Sequence, residues 1–242
     1  MNNVVFITAL DPGNRLSYKE PCLNSWKHWC NKNNVTLFTL CDLNKASEGV
    51  SAHWIRYWAA DILKEEGIEF EKLAIVDLDT LIHPDADNIF NEFDEGIAVV
   101  QDYGGPGWTL KSFEHMKPLL PEFSLEWDRY CNSGVIALDK NSLFILELVK
   151  AFYLKHLNQV DGVNINEDDK GFDQTPLNHF IKSSNVKTTW LKHRFNLSLL
   201  QHKKIRSADQ LPPLKAIYHF AGLCTEQRSK FMSALWEELL TS

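Results

Sequence analysis

Asp77-Leu78-Asp79 sets two carboxylates one residue apart. In an extended chain alternate side chains point the same way, so both acids face one side and can clamp a single hard divalent cation. The chain has 32 Asp and Glu residues, so such a triplet also arises easily, and its plain alternative is polarity at a strand end. Position favours chemistry: the apolar run Leu73-Ala74-Ile75-Val76 leads in, Thr80-Leu81-Ile82 follows and Pro84 closes the segment. His219, taken alone, reads as a satisfied core histidine. Asp173 stands ahead of an amphipathic stretch and is equally an N-cap. Asp11, in Asp11-Pro12-Gly13-Asn14, is equally a turn residue. Gly104, Gly105 and Gly107 around Pro106 make either a loop that bends around a ligand or a simple turn.

The elements that must position these residues follow from patterning. Val4 to Thr8 is a β-branched run without alternation, as a buried parallel strand requires. Glu20-Pro21 opens a helix carrying Leu23, Trp26 and Cys30 on one face. Val35 to Leu40 reads as a second strand, His53 to Glu65 as a helix capped at Gly67, and Leu73 to Val76 as a third strand. This strand and helix rhythm indicates a parallel sheet, which binds ligands beyond the carboxyl ends of its strands, where Asp77 and Asp79 lie. Further on, strands are expected over Ile97 to Gln101, Asn132 to Leu138 and Ala216 to His219. Helices are expected over Ser142 to Lys155, Asp173 to Lys182 and Glu226 to Leu240, with a polar loop over Asp161 to Gly171. Trp26, Trp54 and Trp58 fall at helical spacing and read as core, whereas Trp108 and Trp127 lie in irregular segments.

The stretch from Arg56-Tyr57-Trp58 through Leu73-Ala74-Ile75-Val76-Asp77-Leu78-Asp79-Thr80-Leu81 resembles the GT-A glycosyltransferases, particularly the family 8-like glycogenin and bacterial lipopolysaccharide galactosyltransferases. Further matches recur in family order at Ile97 to Asp102, Asn132-Ser133-Gly134-Val135-Ile136-Ala137-Leu138, Asp173-Gln174-Thr175-Pro176-Leu177-Asn178 and Tyr218-His219-Phe220-Ala221-Gly222. The resemblance implies a GT-A fold, a mainly parallel Rossmann-like sheet flanked by helices. It also implies a D-x-D site in which Asp77, Asp79 and His219 hold Mn2+ or Mg2+. On the donor side it places Thr8, Ala9 and Asp11 at the base and ribose, Arg56, Leu78 and Gly222 about the donor, and Asn132, Ser133 and Asp102 at the sugar hydroxyls. Asp173 and Gln174 come nearest the anomeric carbon. It implies a nucleotide-sugar donor, a UDP-sugar, a glycan, glycolipid or glycoprotein acceptor, and retention of configuration. The family carries a lysine three residues after the glycine, then Pro-Trp; here Thr225 stands in that place, leaving Arg228, Lys230 or Lys192-His193-Arg194 as substitutes. Two carboxylate oxygens and an imidazole nitrogen, with diphosphate oxygens, suit Mn2+ or Mg2+ rather than a sulfur-rich zinc site.

The bulk composition is consistent with this. At 242 residues, 44% hydrophobic, the chain is expected to form one domain spanning 1–242. A net charge of −7 argues against duplex nucleic acid as the main partner. A basic stretch, Lys187, Lys192, Arg194, Lys203, Lys204 and Arg206, is either a solvated face or a site for an anionic acceptor, with peripheral association at an anionic membrane surface. Five cysteines without a C-x-x-C pair, no signal peptide and no transmembrane stretch suggest a cytoplasmic protein. The sequons at Asn34 and Asn196 read as chance. Two other readings compete. One is a haloacid-dehalogenase-type phosphatase, whose nucleophile strand the Asp triplet superficially matches. The other is a nucleotide-sugar or carbohydrate-binding module without turnover.

Overall fold

The computed structural model describes residues 2–11, 15–43, 50, 53–104, 106–124, 126–160, 173–198 and 214–241. In chain order these form β1 (Asn3–Thr8), α1 (Lys19–Asn33), β2 (Thr36–Leu40), α2 (Ala59–Glu65), β3 (Lys72–Val76), β4 (Thr80–Ile82), β5 (Ile97–Gln101) and α3 (Pro106–Met116). They continue with β6 (Cys131–Asp139), α4 (Phe144–Lys155), α5 (Leu157–Val160), α6 (Gln174–Ser183), β7 (Thr188–Leu191), β8 (Leu197–Ser198), β9 (Ile217–His219) and α7 (Thr225–Thr241). The main sheet has the order β2-β1-β3-β6-β5-β7, and β6 runs against both its neighbours while the β1–β2, β1–β3 and β5–β7 pairs are parallel.

Alternation along the central strands divides the core in two. Val5, Ile7, Ala74 and Val76 face Cys22, Trp26 and Trp29 of α1 and Met232 and Leu235 of α7. Val4, Phe6, Leu73 and Ile75 face Ile62, Leu63, Ile145, Val149 and Leu177 of α2, α4 and α6. Covered on both sides, β1 and β3 tolerate no polar alternation, which explains their continuous apolar runs.

After Val76 the chain leaves this sheet. Asp77-Leu78-Asp79 crosses a gap, and β4 joins a small second sheet, order β4-β9-β8, antiparallel to β9. Thr80 fastens the crossing: its fully buried hydroxyl accepts from Trp26 Nε1 at 2.9 Å and donates to the Asp77 carbonyl at 2.7 Å.

Several expectations need revision. The helix expected from His53 begins as a 3-10 turn, Ile55–Trp58, in which every residue is buried, so no single amphipathic face exists there. Gly67 does cap α2, at φ 69. The glycine-rich stretch after Asp102 passes into α3, with Pro106 in its first position, where a missing N–H costs least. β7 had no clear signal, since its residues are mostly half-exposed. The polar loop Asp161 to Gly171 lies outside the described residues, as do Lys203, Lys204 and Arg206. Lys187 pairs with Glu95 and Arg194 with Asp87, so these two cations of the basic stretch meet carboxylates of the chain itself. Among the described residues no helix is long and apolar enough to cross a membrane.

Candidate functional site

β3 delivers the first carboxylate and β9 the imidazole. Asp77 N–H donates to the Gly134 carbonyl on β6 at 2.8 Å, and Phe220 N–H donates to the Asp79 carbonyl at 2.9 Å, so the crossing is held by backbone from both sheets. Ligand atoms of Asp77, Asp79 and His219 lie within 4.8 Å of one another. His219 Nε2 stands 3.3 Å from Asp79 Oδ1 and 3.7 Å from Asp77 Oδ2. The other oxygen of each carboxylate is held by an arginine: Asp77 Oδ1 by Arg56 and Asp79 Oδ2 by Arg228, the latter at 3.2 Å. One oxygen per acid and one ring nitrogen therefore converge on a common point, a hard O/N donor set that fits Mn2+ or Mg2+.

The electrostatics follow from this crowding. Burial opposes the imidazolium of His219, yet the Asp79 charge and hydrogen bond, joined by Asp77, raise its pKa. At Asp79 burial is outweighed by His219 and Arg228, which hold the carboxylate well below its usual range. At Asp77 withdrawal from water, reinforced by the Asp79 charge, prevails over Arg56 and raises the pKa. Two acids this close favour whatever adds positive charge between them.

A bulge in β6 shapes the neighbouring wall. Val99 of β5 pairs with Ile136, but Val100 pairs with Asn132, so Ser133, Gly134 and Val135 bow out of the β5 register while Val135 keeps its pairing with Val76. Gly134 then lies against the His219 ring, where an added Cβ would sit 2.2 Å from Cε1. Ser133 is held by its backbone: its carbonyl accepts from Arg56 Nη1 at 2.9 Å and its N–H donates to Gln174 Oε1 at 3.1 Å. Asn132 Oδ1 accepts from Gly134 N–H at 2.9 Å.

Asp173 and Gln174, at the start of α6, are both buried. Asp173 occupies the N-cap position but makes no side-chain cap; its Oδ2 instead accepts from Tyr57 O–H at 3.0 Å and lies 3.8 Å from Arg56 Nε. Gln174 Nε2 donates to Asp102 Oδ2 at 2.6 Å, and Asp102 Oδ1 accepts from Gly104 N–H at 2.7 Å. Asn178, one turn further along α6, clasps both backbone groups of Cys131 and fixes α6 to the bulged strand.

Other sequence candidates sit around this centre. Thr8 ends β1 with a buried hydroxyl that has no hydrogen-bond partner among the described residues. Ala9 continues it, its N–H donating to the Leu40 carbonyl at 2.8 Å. Asp11 accepts from the Arg15 and Leu16 N–H groups, one with each carboxylate oxygen. Leu78 packs on the α1 and α7 side of the core. Gly222 turns the chain at φ 75, a conformation that favours glycine, and is exposed. Arg228 lies beside Asp79. Its guanidinium also donates to the Phe220 and Leu223 carbonyls and to the Tyr18 hydroxyl. The side chain of Trp108 is outside the description, and Trp127 is exposed at its surface.

Two residues of the site carried no usable signal in the sequence. Tyr57 stands in the Arg56-Tyr57-Trp58 stretch with nothing to mark a role, and Asn196 reads only as a chance sequon. Asn196 is 2% exposed and its amide Oδ1 meets His219 Nδ1 at 2.9 Å. Its place just before β8, opposite β9, is visible only in the second sheet.

No protein-family profile and no curated protein sequence matches the chain. Among solved structures it is similar to a glycosyltransferase involved in the glycosylation of the major capsid of PBCV-1, with TM-score 0.62 and 11% identity over 96% of this chain and 99% of that one. It is similar to the WbbM bifunctional glycosyltransferase, with TM-score 0.59 and 15% identity over 100% of this chain and 51% of that one, so it spans about half of WbbM's length. A third match is mouse xyloside xylosyltransferase 1, with TM-score 0.52 and 11% identity over 92% and 98%. The chain thus shares with these glycosyltransferase structures a mixed α/β fold whose central, mostly parallel sheet is flanked by helices.

Proposed function

We propose that the protein is a divalent-metal-dependent glycosyltransferase that takes a nucleotide-diphosphate sugar, a UDP-sugar, as donor and a glycan, glycolipid or glycoprotein as acceptor. The observation that carries this reading is the convergence of Asp77, Asp79 and His219 beyond the carboxyl end of β3. Open α/β sheets bind ligands at such ends. A bound Mn2+ or Mg2+ supplies Lewis acidity, neutralising charge on the diphosphate leaving group. The chain supplies the rest. Arg56 and Arg228 hold the carboxylates with one oxygen of each turned inward, and the positive charge of Arg228 adds to the field felt by a diphosphate. The Thr8 hydroxyl at the end of β1, without a hydrogen-bond partner among the described residues, suits a polar atom of the base. Asp102 and Gln174, tied to each other, and Asp173, held by Tyr57 and Arg56, form the polar wall beside the donor sugar. Retention of configuration belongs to this proposal on the resemblance of the Asn132 and Asp173-Gln174 segments.

The fold favours this over the phosphatase alternative, because the glycosyltransferase structures match along nearly the whole chain. The deciding experiment is calorimetric titration of UDP with and without Mn2+, on wild type and Asp79→Ala. Wild type is expected to bind UDP at least tenfold more tightly with Mn2+, and Asp79→Ala to lose that gain while staying folded. Equal affinity in all four titrations removes the proposal. A binding module without turnover is separated by donor hydrolysis, and the anomeric configuration of the first transfer product reports on retention.

A further inference from the structure

We propose that Asn196 is a positioning residue that, itself held by Asn132, keeps the His219 ring in its Nδ1–H form so that Nε2 presents a lone pair between Asp77 and Asp79. The inference rests on the reading of these three side chains as a cation site.

The Gly134 backbone N–H can only donate, and it donates to the Asn132 side chain at 2.9 Å, so the Asn132 atom there is the carbonyl oxygen. The same oxygen lies 2.9 Å from the Asn196 side chain, and only the amide NH2 of Asn196 can donate to it. The carbonyl oxygen of Asn196 therefore points the other way, to His219 Nδ1, also at 2.9 Å. A carbonyl oxygen only accepts, so Nδ1 carries the hydrogen. In the neutral ring Nε2 is then bare, and Nε2 is the atom facing Asp79 and Asp77. Asn196 and His219 are each 2% exposed, so water does not compete for the hydrogen bond between them. Gly134, whose N–H donates to Asn132, also lies against the His219 ring, where an added Cβ would sit 2.2 Å from Cε1.

The relay links the β6 bulge to β9 by way of the turn before β8, and each link is an uncharged group. It sets the tautomer without adding charge to a site already carrying two carboxylates and two arginines. Partners of this kind orient metal-ligating histidines, and their loss weakens metal binding by about 10–100-fold.

The test is a long-range proton–nitrogen correlation spectrum of 15N-histidine-labelled protein at alkaline pH, with His219 assigned through His219→Gln, together with Mn2+ titration. Wild type is expected to show a protonated Nδ1 and a bare Nε2 at His219. Asn196→Ala is expected to shift the ring toward the Nε2–H form and to weaken Mn2+ binding about 10–100-fold. Asn196→Asp, which keeps an acceptor at Nδ1, is expected to keep the Nδ1–H form and to bind Mn2+ more tightly than Asn196→Ala. An Nε2–H ring in wild type overturns the proposal without any variant, so a poorly folded Asn196→Ala leaves the test intact. A wild-type tautomer and Mn2+ affinity retained in Asn196→Ala also overturns it. Failure of wild type to bind Mn2+ strikes the cation site instead, and the spectrum separates the two failures.

Discussion

Gly134 occupies a place where any side chain meets the His219 ring, with a Cβ at 2.2 Å from Cε1. The ring lies between Gly134 and the two carboxylates, so yielding to a new Cβ shifts Nε2 relative to them. Gly134→Ala is therefore expected to cost about 1–3 kcal/mol in urea unfolding, the usual scale of overpacking. It should also weaken Mn2+ binding by at least tenfold. A variant with wild-type cation affinity would mean that the ring does not act as ligand. Titration supplies a second check at this scale. The acids raise the His219 pKa, so in the cation-free protein the imidazolium stabilises the fold below the ordinary histidine value of about 6.5. That contribution is lost as pH rises through the raised folded value. A cation needs the deprotonated Nε2, so its apparent affinity must fall as pH drops through the same value. Mn2+ titrations across mildly acidic to mildly alkaline pH should show this fall, and a flat profile would exclude His219 from the ligand set.

At the level of elements, the decisive feature is that β3 and β4 belong to different sheets. The triplet Asp77-Leu78-Asp79 is the span between them, pinned by Thr80 through Trp26 and the Asp77 carbonyl. Thr80→Val keeps the shape but leaves the indole N–H and that carbonyl without this partner in a buried place. The expected cost is about 1–3 kcal/mol. Because the lost bonds hold the span itself, Mn2+ affinity should fall with stability. A loss of stability at unchanged affinity would mean that the span is held by the two sheets alone. The strand ends here were readable because buried parallel strands are uniformly apolar and stop at the first acid. The β6 bulge was not readable, since Asn132 to Leu138 looks like an unbroken strand and the displacement of Ser133 to Val135 shows only in its pairing with two distant strands.

For the whole molecule, the two core layers pack on α1 and α7 on one side and on α2, α4 and α6 on the other, and neither is built around the cation site. Chelation is accordingly expected to leave the fold intact, in contrast to a structural zinc domain. Adding Mn2+ with UDP should raise the unfolding midpoint by mass action, by about 2.7 kcal/mol of stability at a hundredfold excess over Kd. Thermal unfolding with EDTA, with Mn2+ and with both ligands measures this. Unfolding by EDTA alone would assign the cation a structural role.

What the amino-acid sequence determined by itself is the local alphabet of the site. Buried strands demand runs such as Leu73 to Val76, strand ends admit Asp77 and Asp79, and Pro21 and Gly67 mark a helix's first turn and another's end. These depend on neighbours within a few residues and survive as pattern. The tertiary structure alone decided how distant groups meet: Arg56 with Asp77 and Asp173, Arg228 with Asp79, and Asn132 with Asn196 and His219. Such contacts join positions far apart in the chain, and a buried polar residue leaves no periodic trace. The hydrogen bond that makes its burial tolerable is supplied by a partner that sequence spacing does not name.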